Sequence, residues 1–265
     1  SPQIHAAFAE QCHQDMQYRA ILVEKQQFAA AADKFFSGAG RGLNITVPFK
    51  GDAYTYAGTL SSRAERAQAV NTLVCDEHGE TFGDTTDGLG LVRDMVANLG
   101  WGITGQRVLV LGAGGAVRGV LEPLLRERPL QLVLANRTPE KAELLAQQFS
   151  DLGEISGGGF DAIQGQQFDL VINGTAASLA GDLPPLPEDI LTERSCCYDM
   201  MYAAEPTVFM HWAAQNTAWA VADGLGMLVE QAAESFYLWR QQRPQTSPVI
   251  NAIRAAMNAA GAKGD

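Results

Sequence analysis

Little in this chain can staple, chelate or anchor it. Its 265 residues include four cysteines, Cys12, Cys75, Cys196 and Cys197, with no Cys-x-x-Cys spacing. That pattern argues against a disulfide framework or a thiolate metal site. Adjacent Cys196 and Cys197 in an apolar run read as buried thiols in a reducing cytosol, so a cytoplasmic location is expected. The histidines, His5, His13, His78 and His211, are scattered without a ligand-pair spacing, and no metal is expected. No apolar run reaches the roughly 20 residues of a membrane-crossing helix. No secretory signal is visible, and the chain opens Ser1-Pro2 without a methionine. Positive charge is also scarce: 19 Lys and Arg stand against 30 Asp and Glu, a net −11. Nucleic acid and membrane surfaces call for a basic face, so neither is an expected partner. Repeats and low-complexity tracts are absent apart from Gly157-Gly158-Gly159, which reads as a flexible turn.

What remains is an ordinary globular composition, 46% hydrophobic and 18% charged, long enough for one large or two medium domains. Ser1 and Pro2 suit the start of a helix running to about Cys12. Tyr18–Val23 reads as a strand, Gln26–Phe36 as a helix, Leu43–Val47 as a short strand, and Pro48 begins another helix. Ser61–Gln68 is helical, Ala69–Cys75 a strand, His78-Gly79 a turn, and Phe82 begins the return. From Asp87 onward, strands at Val108–Leu111, Leu132–Asn136, Leu170–Asn173, Cys196–Asp199 and Trp219–Ala222 alternate with helices. Such alternation implies a parallel sheet covered on both faces. The last helices, Gly224–Gln241 and Pro248–Ala260, have no strand left to cross to and are expected to return to the first lobe. The fold class is therefore α/β in two lobes with a cleft between them. Residues 1–86 plus 223–265 form an N-terminal α/β domain, and residues 87–222 a doubly wound, Rossmann-type nucleotide domain.

The most telling stretch is Gly112-Ala113-Gly114-Gly115-Ala116. It follows the apolar strand Arg107–Leu111 and opens a helical pattern from Val117 to Arg126. Strand, glycine turn and helix together lay a dinucleotide pyrophosphate on a helix N-terminus. Val117 stands at the third glycine position of the pattern. The next strand ends in Asn136-Arg137-Thr138, where an NAD site wants an acid for the ribose 2′-hydroxyl. A cation there suits a 2′-phosphate, so the cofactor expected is NADP (NADPH). Arg137 alone also reads as an exposed arginine after a strand.

Three further blocks complete a pattern: Asn44-Ile45-Thr46-Val47-Pro48-Phe49-Lys50, Ala69-Val70-Asn71-Thr72-Leu73 and Gly83-Asp84-Thr85-Thr86-Asp87-Gly88. With the glycine turn, Asn136-Arg137-Thr138, Tyr198-Asp199-Met200 and Asp223-Gly224-Leu225-Gly226-Met227-Leu228, they occur in one order over almost the whole chain. In this the chain closely resembles the shikimate dehydrogenase family. The resemblance implies NADP-dependent interconversion of shikimate and 3-dehydroshikimate, a step in aromatic amino-acid (chorismate) biosynthesis, by a monomer or homodimer.

Oxidising an alcohol removes a hydride and a proton. The nicotinamide takes the first and the protein must manage the second. Lys50 at a strand-to-helix junction and Asp87 at the hinge can share one substrate hydroxyl, and the resemblance assigns both to catalysis. Taken singly, Lys50 is an ordinary helix-start lysine and Asp87 an N-cap. The resemblance places Ser1, Thr46, Asn71, Tyr202 and Gln231 on the substrate as well, amides and hydroxyls suiting a ligand of several hydroxyls and one carboxylate. On the cofactor it places Gly112, Ala113, Gly114, Gly115 and Ala116 at the pyrophosphate. Asn136, Arg137, Thr138 and Lys141 fall at the adenosine ribose and its phosphate, Asn173 and Thr175 along the cofactor, and Met200 and Gly224 beside the nicotinamide. Met227 and Leu228 read as packing.

Several positions depart from the family. Thr85 replaces a common Asn, and Gly174-Thr175-Ala176-Ala177-Ser178 is poorer in hydroxyls than usual; both are expected to affect affinity rather than reaction type. Family members usually open with a strand, a glycine-proline turn and two carboxylate-binding serines, and this sequence begins at the second of these, Ser1. Two other functions compete: a quinate/shikimate dehydrogenase of broader scope, and a silent dinucleotide-binding protein, which would need neither Lys50 nor Asp87. A chain extended at its N-terminus by the family's opening segment is expected to show a lower shikimate KM and a higher Tm than residues 1–265. Equal KM values would refute that.

Overall fold

Two sheets of different character meet at Asp87. The computed structural model describes residues 1–175, 177 and 181–261; Ala176 and Ser178 of the hydroxyl-poor stretch lie outside them. The first part runs α1 (Pro2–Gln11), α2 (Phe28–Phe36), β1 (Gly42–Asn44), α3 (Lys50–Tyr56), β2 (Thr59–Leu60), α4 (Ser62–Ala67), β3 (Thr72–Cys75) and β4 (Thr81–Asp84). The strands form a mixed sheet in the order β1-β3-β4-β2. Its β3–β4 hairpin turns on Asp76, whose Oδ1 accepts from the His78 and Glu80 amides, and on Gly79 at φ +84°, a left-handed position that suits glycine. Ser61 caps α4 by accepting from the Ala64 amide at 3.1 Å. Phe28, Ala32, Ile45, Ala53, Ala64, Val70 and Leu73 pack into one buried core between the sheet and its helices.

The expected strand at Tyr18–Val23 does not form; the segment is irregular. Its β-branched and aromatic residues favour a strand, but a strand exists only with a ladder partner, and none pairs with it among the described residues. Tyr18 instead stacks on His5 with ring centroids 4.2 Å apart and donates to Asn44 Oδ1 at 3.0 Å.

The second part runs α5 (Asp87–Arg93), a π-helical turn (Asp94–Asn98), β5 (Arg107–Leu111), α6 (Gly115–Arg126), β6 (Gln131–Ala135), α7 (Pro139–Phe149), β7 (Ile155–Gly158), β8 (Phe168–Asn173), β9 (Leu191–Asp199), α8 (Val208–Gln215) and β10 (Ala220–Ala222). All six strands are parallel, in the order β10-β9-β8-β5-β6-β7. The chain winds outward from β5 through β6 to β7, then returns beside β5 and winds the other way. The switch point between β5 and β8 is where open α/β sheets bind ligands. On β5, Val108 and Val110 enter one buried cluster while Leu109 and Leu111 enter another on the opposite face. Burial on both faces is why that strand reads as an unbroken apolar run. Burial also pushes the thiols of Cys196 and Cys197 up, to about 11 and about 12, which leaves them inert.

Gly157 and Gly158 were expected in a flexible turn, yet they lie in β7. A side chain at Gly157 would collide with the Ala142 carbonyl, so glycine here admits α7 close against the sheet.

The last two helices, α9 (Leu225–Arg240) and α10 (Ser247–Gly261), return to the first part as expected. Leu225, Val229, Ala232, Ala233, Phe236 and Val249 pack with Ile4, Phe8 and Ala9 of α1, and Trp239 Nε1 donates to Leu73 O at 3.0 Å. The outer seam between the two parts is held by Arg66 of α4. Its guanidinium grips both oxygens of Asp151, at 2.7 and 3.1 Å, and bonds Gln148 O at 3.2 Å, with Glu122 of α6 at 3.6 Å.

At the centre, α5 is wedged between α6 and α9. A Cβ at Gly88 would stand 2.6 Å from Pro123 Cγ and 2.7 Å from Gly119 O; one at Gly90 would stand 2.7 Å from the Gln231 nitrogen. Gly88→Ala is therefore expected to destabilise by about 1–3 kcal/mol through overpacking, seen as a Tm several degrees lower. Gly102→Ala, where a Cβ meets nothing within 4 Å, is expected to leave Tm unchanged or raised.

Candidate active site

Lys50 is the first residue of α3 and Asp87 the first of α5, so two helix starts point their side chains at one place. Lys50 Nζ donates to Asp87 Oδ2 at 2.7 Å, with 28% and 17% of the two side chains exposed. Asp87 Oδ1 accepts from Asn71 Nδ2 at 2.9 Å. The expected N-cap role of Asp87 is absent: Thr86 holds the cap position, and the carboxylate is occupied by Lys50 and Asn71.

Asn71 can be oriented without ambiguity. Its Oδ1 receives the Thr86 backbone N–H at 2.9 Å, and a backbone N–H only donates. Its Nδ2 must then face Asp87, Thr86 Oγ1 and Gln231 Oε1 (2.9, 3.0 and 3.4 Å). Beneath this layer Ser235 of α9 contacts Thr72 Oγ1 at 2.8 Å and Asn44 Nδ2 at 2.9 Å, and Asn44 Oδ1 bonds His5 Nε2 at 3.1 Å. A continuous buried polar network thus joins α1, β1, β3, α5 and α9 under the Lys50–Asp87 pair. Asp84 is clamped beside it by Ser61 and Arg63, the latter also bonding Thr85 O at 3.0 Å; burial raises the Asp84 pKa against the opposing pull of Arg63.

Lys50, Asp87, Asn71 and Gln231 are therefore assembled into one bonded cluster. Ser1, Thr46 and Tyr202 are exposed and stand outside it. Ser1 takes the N-cap position of α1 but makes no side-chain cap bond.

On the second part, Gly112 follows β5 at φ +105°, and Gly114 caps α6 without a side-chain bond. The first-turn amides of α6 are left pointing outward, the arrangement that receives a phosphate. A Cβ at Gly114 or Gly115 would meet nothing within 4 Å. Protein packing does not require glycine there; its absence of side chain keeps the space before the helix open. Ala113 is half-buried and Ala116 exposed along the same turn. At the end of β6, Arg137 and Thr138 are exposed, Asn136 Nδ2 bonds Thr138 O at 2.9 Å, and Lys141 is exposed in the first turn of α7. These groups fit an anionic dinucleotide with a phosphate at its ribose end. Asn173 is fully buried: its Oδ1 accepts from Thr175 N and Oγ1, and its Nδ2 donates to Asp199 at 3.1 Å, so it braces the turn after β8. Met200 and Gly224 abut each other at the ends of β9 and β10. The two halves of the site are adjacent, since a Cβ at Gly119 of α6 would lie 4.0 Å from Asp87 Oδ2.

Sequence reasoning missed Thr86, Ser235, Asn44, His5 and Arg63. Ser61 three residues before Ala64 is a cap signal, but nothing local links Ser235 to Asn44, 191 positions away.

A doubly wound sheet with a cleared helix N-terminus, set against an ammonium–carboxylate pair from a neighbouring α/β unit, defines a two-lobed dinucleotide-binding protein. Sequence comparison narrows the class. Residues 1–73 match the shikimate dehydrogenase substrate binding domain, 95–180 the shikimate / quinate 5-dehydrogenase model, and 224–254 the shikimate 5′-dehydrogenase C-terminal domain. The chain is 60% identical over 258 residues to a shikimate dehydrogenase (NADP(+)) of Cellvibrio japonicus, covering 97% of this chain and 93% of that one. Its fold is similar to the crystal structure of an Ael1 enzyme from Pseudomonas putida, with TM-score 0.89, 44% identity, and 95% and 92% of the two chains covered. It is also similar to a Thermus thermophilus shikimate 5-dehydrogenase solved with NADP(H) and shikimate, with TM-score 0.84, 32% identity, and 96% and 94% covered. The chain belongs to the shikimate dehydrogenase family.

His5 gives the site's foundation a pH signature. Burial lowers its pKa from 6.5 to about 4, against the Asn44 bond, and Nδ1 has no partner among the described residues. Between those values the unfolded histidine takes a proton that the native one refuses. Its contribution is therefore complete above pH 6.5 and falls as pH drops toward 4. Relative to His5→Phe, the parent is expected to lose up to about 3 kcal/mol over that window, measured by urea unfolding. A stability difference independent of pH would contradict this.

Proposed function

We propose that this chain is an NADP-dependent shikimate dehydrogenase, interconverting shikimate and 3-dehydroshikimate in aromatic amino-acid biosynthesis. The observation that carries the reading is the Lys50–Asp87 pair at 2.7 Å beside the cleared N-terminus of α6. Residues 1–86 with 223–265 serve as the substrate domain and 87–222 as the cofactor domain. In support, the substrate-domain family model covers residues 1–73.

When bound, NADP supplies the hydride acceptor, or NADPH the donor. The turn Gly112, Ala113, Gly114, Gly115 and Ala116 would hold the pyrophosphate with backbone amides. Asn136, Arg137, Thr138 and Lys141 would hold the phosphorylated ribose, with Thr175, Met200 and Gly224 along the remaining wall and Asn173 bracing it. Lys50 and Asp87 receive the ring hydroxyl. In oxidation the pair draws off the hydroxyl proton as the C–H bond breaks; in reduction Lys50 returns a proton to the forming alkoxide and steadies its charge beforehand. Asn71 holds Asp87 in place and, with Gln231, Ser1, Thr46 and Tyr202, matches the remaining hydroxyls and the carboxylate. A site built this way rejects ligands lacking a hydroxyl, because its polar groups would be left unpaired.

The net charge of −11 supports a small-molecule enzyme without nucleic-acid partners, and four free cysteines support a cytoplasmic location. We infer a monomer or homodimer. No helix among the described residues is long and apolar enough to cross a membrane.

The test is NADP reduction with shikimate, compared with NAD and with quinate. Turnover is expected with NADP and shikimate, and much less with either substitute. Comparable rates on quinate would favour the broader quinate/shikimate enzyme, and NADP binding without turnover a silent binding protein. Lys50→Met and Asp87→Asn are each expected to cut kcat by about 10²–10⁴ while the protein stays folded. Near-parental turnover in either variant removes the pair from the reaction.

A further inference from the structure

Beyond β9 the chain enters a loop that carries Tyr202. The loop is fixed at both ends. Met200 N donates to Asn173 O at 2.9 Å, Met201 N to Asp199 Oδ1 at 3.0 Å, and Gly224 N to Met201 O at 3.0 Å; at the far end Thr207 Oγ1 donates to Asp199 Oδ2 at 2.6 Å. Between these anchors Tyr202–Pro206 are all exposed. Among the described residues, that stretch is tied to another element by a hydrogen bond only at Ala203, whose carbonyl accepts Arg254 Nη1 at 3.2 Å. Arg254 belongs to α10, on the helical layer shared with α1 and α9. Its Nη2 reaches Asp223 Oδ1 at 2.5 Å, and that oxygen also receives Leu225 N at the start of α9, at 3.2 Å. One planar guanidinium therefore bonds two chain segments, the Tyr202 loop and the entry to α9. Asp223 is 8% exposed and needs a cation in any case. A lysine can answer that charge, but a point charge cannot reproduce a fork with fixed geometry.

We infer that Arg254 is a positioning residue: it holds the backbone beside Tyr202 so that this side chain meets the substrate in one orientation. The inference rests on the proposed substrate role of Tyr202. Arg254 itself touches neither Lys50 nor Asp87, so it is expected to act on substrate binding more than on the chemical step.

Arg254→Gln and Arg254→Lys are to be compared with the parent by shikimate kinetics, and by chymotrypsin cleavage after Tyr202 read by mass spectrometry. In both variants the shikimate KM is expected to rise about tenfold, the equivalent of one charge-assisted hydrogen bond, with kcat within about threefold. Cleavage after Tyr202 is expected to accelerate in both. Lysine is expected to restore Tm, since it answers Asp223, without restoring KM. Adding Tyr202→Phe to Arg254→Gln is expected to raise KM less than it does in the parent. Parental KM and cleavage in Arg254→Lys would reduce Arg254 to charge balance and overturn the inference. So would additive effects with Tyr202→Phe. If the parent failed to turn over shikimate, the functional proposal would fall, while the cleavage comparison would still decide whether Arg254 holds the loop.

Discussion

Asp87 is the constraint around which the molecule is arranged. Its two oxygens have different keepers: Oδ2 accepts from Lys50 and Oδ1 from Asn71. The Asn71 amide cannot flip, because the Thr86 backbone N–H claims its oxygen. The orientation of the carboxylate is thereby transmitted from main-chain geometry through a single side chain. A freely rotating carboxylate would have to be ordered whenever a ligand bound; this one is ordered by folding. The polar layer of Thr72, Ser235, Asn44 and His5 beneath it is expensive to bury and stabilises only while its members are paired. That cost makes the network specific: it forms in one arrangement or leaves buried groups unsatisfied.

The same residue explains why α5 contains glycine. Asp87 opens a helix that must approach both α6 and α9, and a side chain at Gly88 or Gly90 would push it from one or the other. Close packing on both sides places the carboxylate against α6 of the second part and the Lys50 ammonium of the first. Further along, Tyr198 donates to Asp94 at 2.6 Å in the adjoining π-helical turn, and burial raises both pKa values. This segment is thus anchored at its far end by a buried phenol–carboxylate hydrogen bond.

Much of this could be read from the residues themselves. Val108–Leu111 is apolar throughout because both of its faces are buried, and Gly112–Ala116 follows as the turn that leaves the start of α6 uncovered. Lys50 and Asp87 look unremarkable singly and became candidates only through the order of the blocks around them. The errors share a cause. Tyr18–Val23 has the propensity of a strand but no partner, and Gly157-Gly158 has poor propensity but a partner in β6 and a helix that needs the room. Local preference was outvoted by pairing in both cases. Residues that act across the chain, such as Ser235 on Asn44, Arg63 on Asp84 and Arg254 on Ala203, leave no local trace, since what selects them is a neighbour known only after folding.

The Arg66 clasp separates two electrostatic regimes within one molecule. Asp151 is 61% exposed, so water and counter-ions reach that rim and compete with its contact pair to Arg66. The Asp87 carboxylate is only 17% exposed and is bonded to both Lys50 and Asn71, so it meets less of the ionic atmosphere. Dissolved ions are consequently expected to loosen the rim between the two parts before they disturb the Lys50–Asp87 pair.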